Sequence, residues 1–442
     1  MARLSVLSRC AVLFCTLSAV IDAPATGAAT TDAAIDLSQP LSLAQCIRMA
    51  EDSAPVTLSQ RAQQIDADAM VQAAWTPQNP SVSYVAQDLG LSGASGPLLL
   101  HQAMIGFAPL AALLRIQESR AACAGRNQAL AAAQEQIWQL RGAVGRAFYD
   151  LLLLEKLQRV EAEAARLAAQ LVVEAQARKR HGDASGLDVV RAQAEALDAA
   201  RLADSSAHQL TLAQRAFVTL IGGDAAQRGL RLLEDLATLD LLPSSIAAEL
   251  AQLSTQDEQA ARDALVRLAK RHRPELRQTA AEQQQAHELI RLSTLRALPL
   301  ADVQVAGGVR SSIAGVGGVL AIAGSLPLFD WNLPARHRAA AQSLRAQAKQ
   351  RALEQQIALD VQNSWADYHK ARELRAQFAL PLCQLRERAL ATVRTQYAEG
   401  IASFQDVVQT ARDLFAAQRA LYQIERDAWS ARWRLAIATA TW

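Results

Sequence analysis

Gly182-Asp183-Ala184-Ser185-Gly186-Leu187-Asp188-Val189-Val190 recurs as Gly400-Ile401-Ala402-Ser403-Phe404-Gln405-Asp406-Val407-Val408, with Gly, Ser, Asp, Val and Val in register at an offset of 218 residues. Each stretch reads as one helix ending and the next beginning. A glycine supplies the left-handed residue that closes a helix. Three residues on, a serine suits the N-cap of the following helix, and the acid three residues after it completes a capping box. The same offset carries Gly106 and Pro109 onto Gly324 and Pro327; close to it, Ala54-Pro55 resembles Arg273-Pro274 and Tyr149 resembles Tyr368. One offset that holds across distant landmarks implies a tandem duplication. We read two copies, 41–222 and 263–440, joined by an irregular linker at 223–262.

Outward from the two turns, each copy has the same order. A helical stretch of about 35 residues comes first (Leu41 to Trp75; Arg262 to Ala297), then an uncharged glycine-containing stretch. A run of about 70 residues follows (Ala111 to His181; Asn332 to Glu399), then the glycine turn and a closing helix of about 35 residues. In the second long run Leu353, Ile357, Val361, Trp365 and Tyr368 step by three and four, the helical period. Pro381 lies inside that run and predicts a kink. At 1.5 Å per residue, 70 residues make a rod of about 105 Å, over three times the ~30 Å hydrocarbon core of a bilayer. Such columns have to stand in water and bury their apolar stripes against one another.

The uncharged stretches, Leu89 to Leu114 and Ser311 to Phe329, are long enough for membrane helices but are broken by Gly93, Gly96, Gly315, Gly317, Gly318 and Gly324 and by Pro97, Pro109 and Pro327. Ser81-Val82-Ser83-Tyr84 and Asp302-Val303-Gln304-Val305 alternate polar with apolar, the period of a strand. Each copy therefore predicts one hairpin of strands near ten residues, the length that crosses a bilayer when tilted. Four strands cannot close a barrel, and lipid tolerates no open sheet edge, so the barrel has to be shared: two chains supply eight strands and three supply twelve. A soluble hairpin covered by helices is the competing reading.

Composition agrees with long, closely packed helices. Of 442 residues, 51% are apolar but only 5% aromatic, and alanine, the best helix former, makes up about a fifth. The apolar content excludes a disordered chain. A net charge of +2 argues against nucleic acid as a partner, which needs a basic face. Residues 1–25 read as a signal peptide. Arg3 and Arg9 precede an apolar segment from Ala11 to Ile21, too short to span a bilayer, and Ala23-Pro24-Ala25 offers a small-x-small cleavage site. Cys10 and Cys15 fall inside this segment without the small preceding residue that lipoprotein processing needs. Cys46, Cys123 and Cys383 are dispersed and read as packed small hydrophobes.

Several stretches resemble a known family. Leu41-Ser42-Leu43-Ala44-Gln45 with Ala54-Pro55 resembles its opening helix, and Gln78-Asn79-Pro80 its entry to the first strand. The turns at 182–193 and 397–408 resemble its two tip motifs, and Leu326-Pro327-Leu328-Phe329-Asp330 with Asn332 its exit from the last strand. Together these resemble the TolC-like outer-membrane factors, in particular the CzcC-like cation-efflux branch, over nearly the whole mature chain. The resemblance implies a mainly α fold with a pair of membrane β-hairpins. A homotrimer would share a twelve-stranded barrel set in outer-membrane lipid, above a periplasmic tunnel of twelve helical columns. It also implies a passive duct, docked onto a periplasmic membrane-fusion adaptor and an inner-membrane pump of the resistance-nodulation-division type.

The family places the two glycine turns at the periplasmic tip, so Gly182, Ser185, Asp188, Gly400 and Ser403 are expected at adaptor docking, beside their capping roles. Asp406 matches the first of two acidic positions of the family's closed aperture, where three copies would form a carboxylate ring attractive to cations. The second acidic position is Gln409, and the gating arginine position is Ala402, while Tyr397 matches the gate tyrosine; the family's closing network is therefore incomplete in this chain. Neither a phosphate loop, a nucleophile elbow nor a His-Glu-x-x-His motif is present, and the seven histidines are scattered. No enzyme, cofactor or tight metal site is expected. Lys270-Arg271-His272-Arg273 reads as a solvated helix segment. The function expected is export of heavy-metal cations. The same duct serving drugs or other organic solutes, and a secreted helical scaffold without a channel, stay open.

Overall fold

The computed structural model describes residues 40–440, apart from 54, 78, 90–97, 110, 183, 225–229, 234–245, 247–257, 299–302, 313, 314 and 324–330. The signal segment with Cys10 and Cys15, the glycines and proline at 93, 96 and 97, the landmarks Gly324 and Pro327 with the exit motif at 326–330, and most of the linker at 223–262 lie outside the described residues.

The chain is mainly helical, with one four-stranded sheet. Its elements are α1 (Leu43–Ser53), α2 (Pro55–Trp75), β1 (Ser81–Leu89), β2 (Leu98–Phe107), α3 (Ala111–His181), α4 (Gly186–Leu220), α5 (Glu258–His272), α6 (Pro274–Leu295), β3 (Gln304–Ser312), β4 (Gly315–Ala323), α7 (Leu333–Leu374), α8 (Leu380–Ala398) and α9 (Phe404–Thr439). The first long run is one unbroken helix of 71 residues, because nothing between 111 and 181 is proline. The stretches expected as single helices of about 35 residues are each two helices, α1–α2 and α5–α6. A proline opens the second member of each pair. Arg273, just before Pro274, is extended at ψ 125°, as the clash of a proline ring with the preceding residue requires.

Pro381 does not break the second long run. A π turn at Arg375–Ala379 joins α7 to α8, and the Leu380 N–H reaches the Arg375 carbonyl five residues back. Proline removes one helical hydrogen bond and its ring crowds the preceding turn. The wider π turn sits where that crowding falls, and the chain stays helical.

α3 packs against α2, α4, α6 and α9, and α7 against α5, α6 and α9. Several aromatic residues gather where these helices meet. Phe148, Phe217 and Tyr368 are fully buried. Tyr149 stacks on Trp429 at 5.3 Å and meets Trp433 edge-on at 6.4 Å. A Cβ on Gly145 would stand 2.0 Å from the Trp433 ring, so this close approach requires glycine. The predicted stripe is buried at Ile357, Val361, Trp365 and Tyr368, and Ile357, Val361 and Trp365 share a core with Leu265 and Leu435.

Two expectations need correction. Arg273 is not solvated: it is 6% exposed, its Nε donates to the Ala438 carbonyl at 2.8 Å, and its guanidinium faces Glu275 at 3.3 Å and Asp360 at 3.5 Å. A long side chain with five donors can cap the last turn of α9 and hold two carboxylates at once. Cys46 and Cys383 are buried, but Cys123 is exposed.

Candidate functional site

The two turns quoted first have the same local geometry. Gly182 has φ +87° and Gly400 φ +78°, the left-handed region that a side chain makes costly. After each turn a serine at the N-cap is extended, and both halves of the capping box form. The Asp188 N–H donates to the Ser185 hydroxyl oxygen at 3.2 Å, and the Ser185 N–H donates to the Asp188 carboxylate at 3.1 Å. The corresponding distances for Asp406 and Ser403 are 3.2 and 3.0 Å. The hydroxyl and N–H of Ser403 hold the Asp406 carboxyl below the usual aspartate value of 3.8.

The turns are joined through an apolar cluster of Leu171, Ala175, Val189, Ala192, Tyr397, Phe404 and Val407. Tyr397 is buried here against Phe404, and burial pushes its hydroxyl pKa up. The Arg178 guanidinium lies 4.3 Å from the centre of the Tyr397 ring and donates to the Tyr397 carbonyl at 2.5 Å, tying the end of α3 to the end of α8. Arg394 reaches Glu174 at 3.5 Å, and Arg412 on α9 donates to Glu195 on α4 at 2.9 Å. Gln409 donates to Asp413 at 2.9 Å. Gly182, Ser185, Asp188, Gly400, Ser403 and Asp406 thus lie together at one end of the two helical hairpins, with Gln409 one turn further along α9. Tyr397 faces inward between the hairpins. Arg178 is the residue that sequence reading missed. Its signal was the basic run Arg178-Lys179-Arg180-His181 closing α3, where cations complement the helix dipole. Between α3, α4 and α9 lies a cleft of about 500 Å³, lined among others by Leu171, Glu195, Arg412 and Arg419.

The sheet is the second feature. Its order is β1-β2-β3-β4, every pair antiparallel, so β2–β3 pairing fuses the two hairpins into one sheet. Register and the two-residue side-chain period sort the residues onto two faces. Val82, Tyr84, Ile105, Phe107, Val309, Leu320 and Ile322 share one face and are all exposed, Leu320 at 75%. Ser81, Ser83, Gln102, Met104, Gln304 and Arg310 share the other. Along β2 the first face is exposed at His101, Ala103, Ile105 and Phe107, while Gln102 and Met104 are half-buried and Gly106 is buried. The sheet therefore has an exposed apolar face and a more enclosed face of small and polar residues. β1 and β4 each pair on one side only among the described residues. No helix of the described residues is long and apolar enough to cross a membrane, and none of their His, Cys, Asp and Glu side chains group in threes as a metal site would need.

No protein-family model and no curated protein sequence matches the chain. Solved structures match it in fold. The outer membrane protein VceC from Vibrio cholerae superposes with a TM-score of 0.71 at 16% identity, over 90% of this chain and 96% of that one. The Campylobacter jejuni CmeC outer membrane channel gives 0.72 at 12% identity, over 90% and 85%. CusC, in structures that describe transmembrane channel formation, gives 0.67 at 14% identity, over 90% and 91%.

Proposed function

We propose that this chain, which has the fold of the TolC-like outer-membrane channels, is one protomer of a trimeric exit duct that passes solutes from the periplasm through the outer membrane. The observation that carries this is the open four-stranded sheet, with one apolar exposed face and two edges unpaired among the described residues. An apolar face suits lipid, but unpaired backbone at an edge costs several kcal/mol per group there. Joining β4 of one chain to β1 of the next satisfies both edges, and three chains of four strands give a closed barrel of twelve. The duplicated turns support a two-copy organisation at 41–222 and 263–440, with the helices below the barrel forming a periplasmic tunnel.

At the tip, Gly182, Ser185, Asp188, Gly400 and Ser403 present the surface for a periplasmic adaptor, and Asp406, with Gln409 and Tyr397 near it, belongs to the aperture. The adaptor, an inner-membrane pump of the resistance-nodulation-division type and a heavy-metal cation cargo rest on the motif resemblance to the CzcC-like branch. The duct is passive; it needs no cofactor and catalyses no reaction.

The test is a deletion strain complemented with the full-length gene. The outer-membrane fraction is expected to contain a detergent-extracted trimer that dissociates on heating, and deletion is expected to sensitise cells to zinc, cadmium, cobalt, nickel or copper. Sensitivity to drugs alone would reassign the cargo to organic solutes. A protein recovered soluble and monomeric from the periplasm would leave the scaffold reading standing and remove the duct.

A further inference from the structure

Arg310 lies two residues from the end of β3, near the turn into β4, paired in register with Gln102 on β2 and Gly317 on β4. It is exposed and belongs to the small, polar face of the sheet, opposite the face that carries Leu320 and Ile322. Two physical arguments put this face toward the barrel interior. A guanidinium is disfavoured on the lipid side of a barrel strand, though less near the strand end than at mid-bilayer, and is well solvated in a water-filled lumen. Along β2 this face is also the less exposed of the two. Gly317 beside it leaves its flank open: a Cβ built there meets nothing within 4 Å. Among the described residues no ion pair or hydrogen bond holds the guanidinium. The uncharged stretches 89–114 and 311–329 supply no carboxylate to neutralise it.

We propose that three copies of Arg310 form a ring of positive charge inside the outer-membrane barrel, making it the residue that sets the ionic preference of the outer pore in favour of anions. The inference rests on the trimeric-duct reading and deepens it by adding a charge filter at the exit. Twelve strands about 4.8 Å apart and tilted by about 40° enclose a backbone radius of about 12 Å. Guanidinium groups reaching inward then stand no more than about 10 Å from the axis. Three such charges enrich a monovalent anion on the axis about fourfold in 0.01 M salt and about twofold in 0.15 M, and deplete a cation by the same factors. A bare metal cation leaving through this pore meets a barrier that an anionic or neutral complex of the same metal does not. The solute that exits most readily is therefore one whose charge has been masked by anionic ligands.

The test uses the full-length trimer in planar bilayers under a potassium chloride gradient at low salt. Wild type is expected to show a reversal potential on the anion side. Arg310→Lys should keep it, Arg310→Gln should shift it toward the cation side, and Arg310→Glu should shift it further the same way. Raising the salt to 1 M should compress these differences. Identical reversal potentials for wild type, Arg310→Gln and Arg310→Glu trimers would overturn the ring while leaving the duct intact. Absence of any trimer in wild type would overturn the duct, and the ring with it. A second readout does not depend on conductance. Arg310→Cys in intact outer membranes should react with a charged, lipid-insoluble thiol reagent above the wild-type background set by the native cysteines. A trimer whose introduced thiol stays unlabelled would show that the residue faces lipid and would overturn the assignment.

Discussion

At residue scale, Asp406 does two things with one carboxylate. It closes the N-terminal turn of α9 through Ser403, and it stays exposed at the end of the hairpins. Because its pKa is lowered when folded, the stabilisation it gives is fully present above the ordinary value of 3.8 and is lost as pH falls through the lower folded value. The charge persists over the same range. In the aperture reading, Asp406→Asn should reduce the cation preference of the tip at neutral pH. The preference should hold between pH 7 and pH 5, above the ordinary aspartate value, as read from reversal potentials in an Arg310→Gln background that removes the opposing ring. An Asp406→Asn channel indistinguishable from its parent would take this carboxylate out of the aperture. The capping boxes were legible in the sequence, since they depend only on residues three apart. Arg178 was not, because its partner Tyr397 lies 219 positions away.

At the scale of elements, helices were predictable in length and place but less so in their joints. α3 ends where its sequence does, at a left-handed glycine. The subdivision at Arg273-Pro274 and the π turn at Arg375–Ala379 depend on how the chain relieves a proline, which local periodicity leaves open. Arg273 shows the same limit: a basic run is usually a solvated face, but here one of its members is needed at the end of α9. The turns joining α3 to α4 and α8 to α9 carry the element-scale prediction. Valine at Gly182 or Gly400 forces a β-branched residue into left-handed backbone, a cost of about 1–2 kcal/mol. Shifting those turns should weaken adaptor crosslinking and metal resistance while leaving the trimer and its heat stability nearly intact. Full crosslinking and full resistance in both variants would remove the turns from the docking surface.

At the scale of the whole molecule, the apolar content finds its use in interfaces between long helices and on one face of a sheet. Alanine allows helices to approach closely, and a cluster of aromatic residues around Phe148, Tyr149, Trp429 and Trp433 fills a place where several helices converge. Among the described residues of a single chain, β1 and β4 each stay open on one side. Cysteine pairs scanned along β1 and β4 should form disulfides between protomers and convert the heat-sensitive trimer into a covalent one on non-reducing gels. Pairs that only ever join as monomers or random aggregates would count against the shared barrel. In the assembled duct a negative ring at the tip and a positive ring in the barrel would stand in series, and the conductance should be asymmetric with voltage.

The sequence by itself determined the turns, the long helices and the existence of four strands, because each depends on contacts between near neighbours: a serine and an acid three apart, an apolar stripe at helical period, an alternation of two. Only the tertiary structure decided the register of the strands, that both hairpins join through β2 and β3, and that Arg310 shares a face with Ser81 and Gln102 rather than with Leu320. Register between strands some 200 residues apart in the chain is set by packing and hydrogen bonding across the sheet, and a shift of one residue would have sent every side chain of β3 to the opposite face.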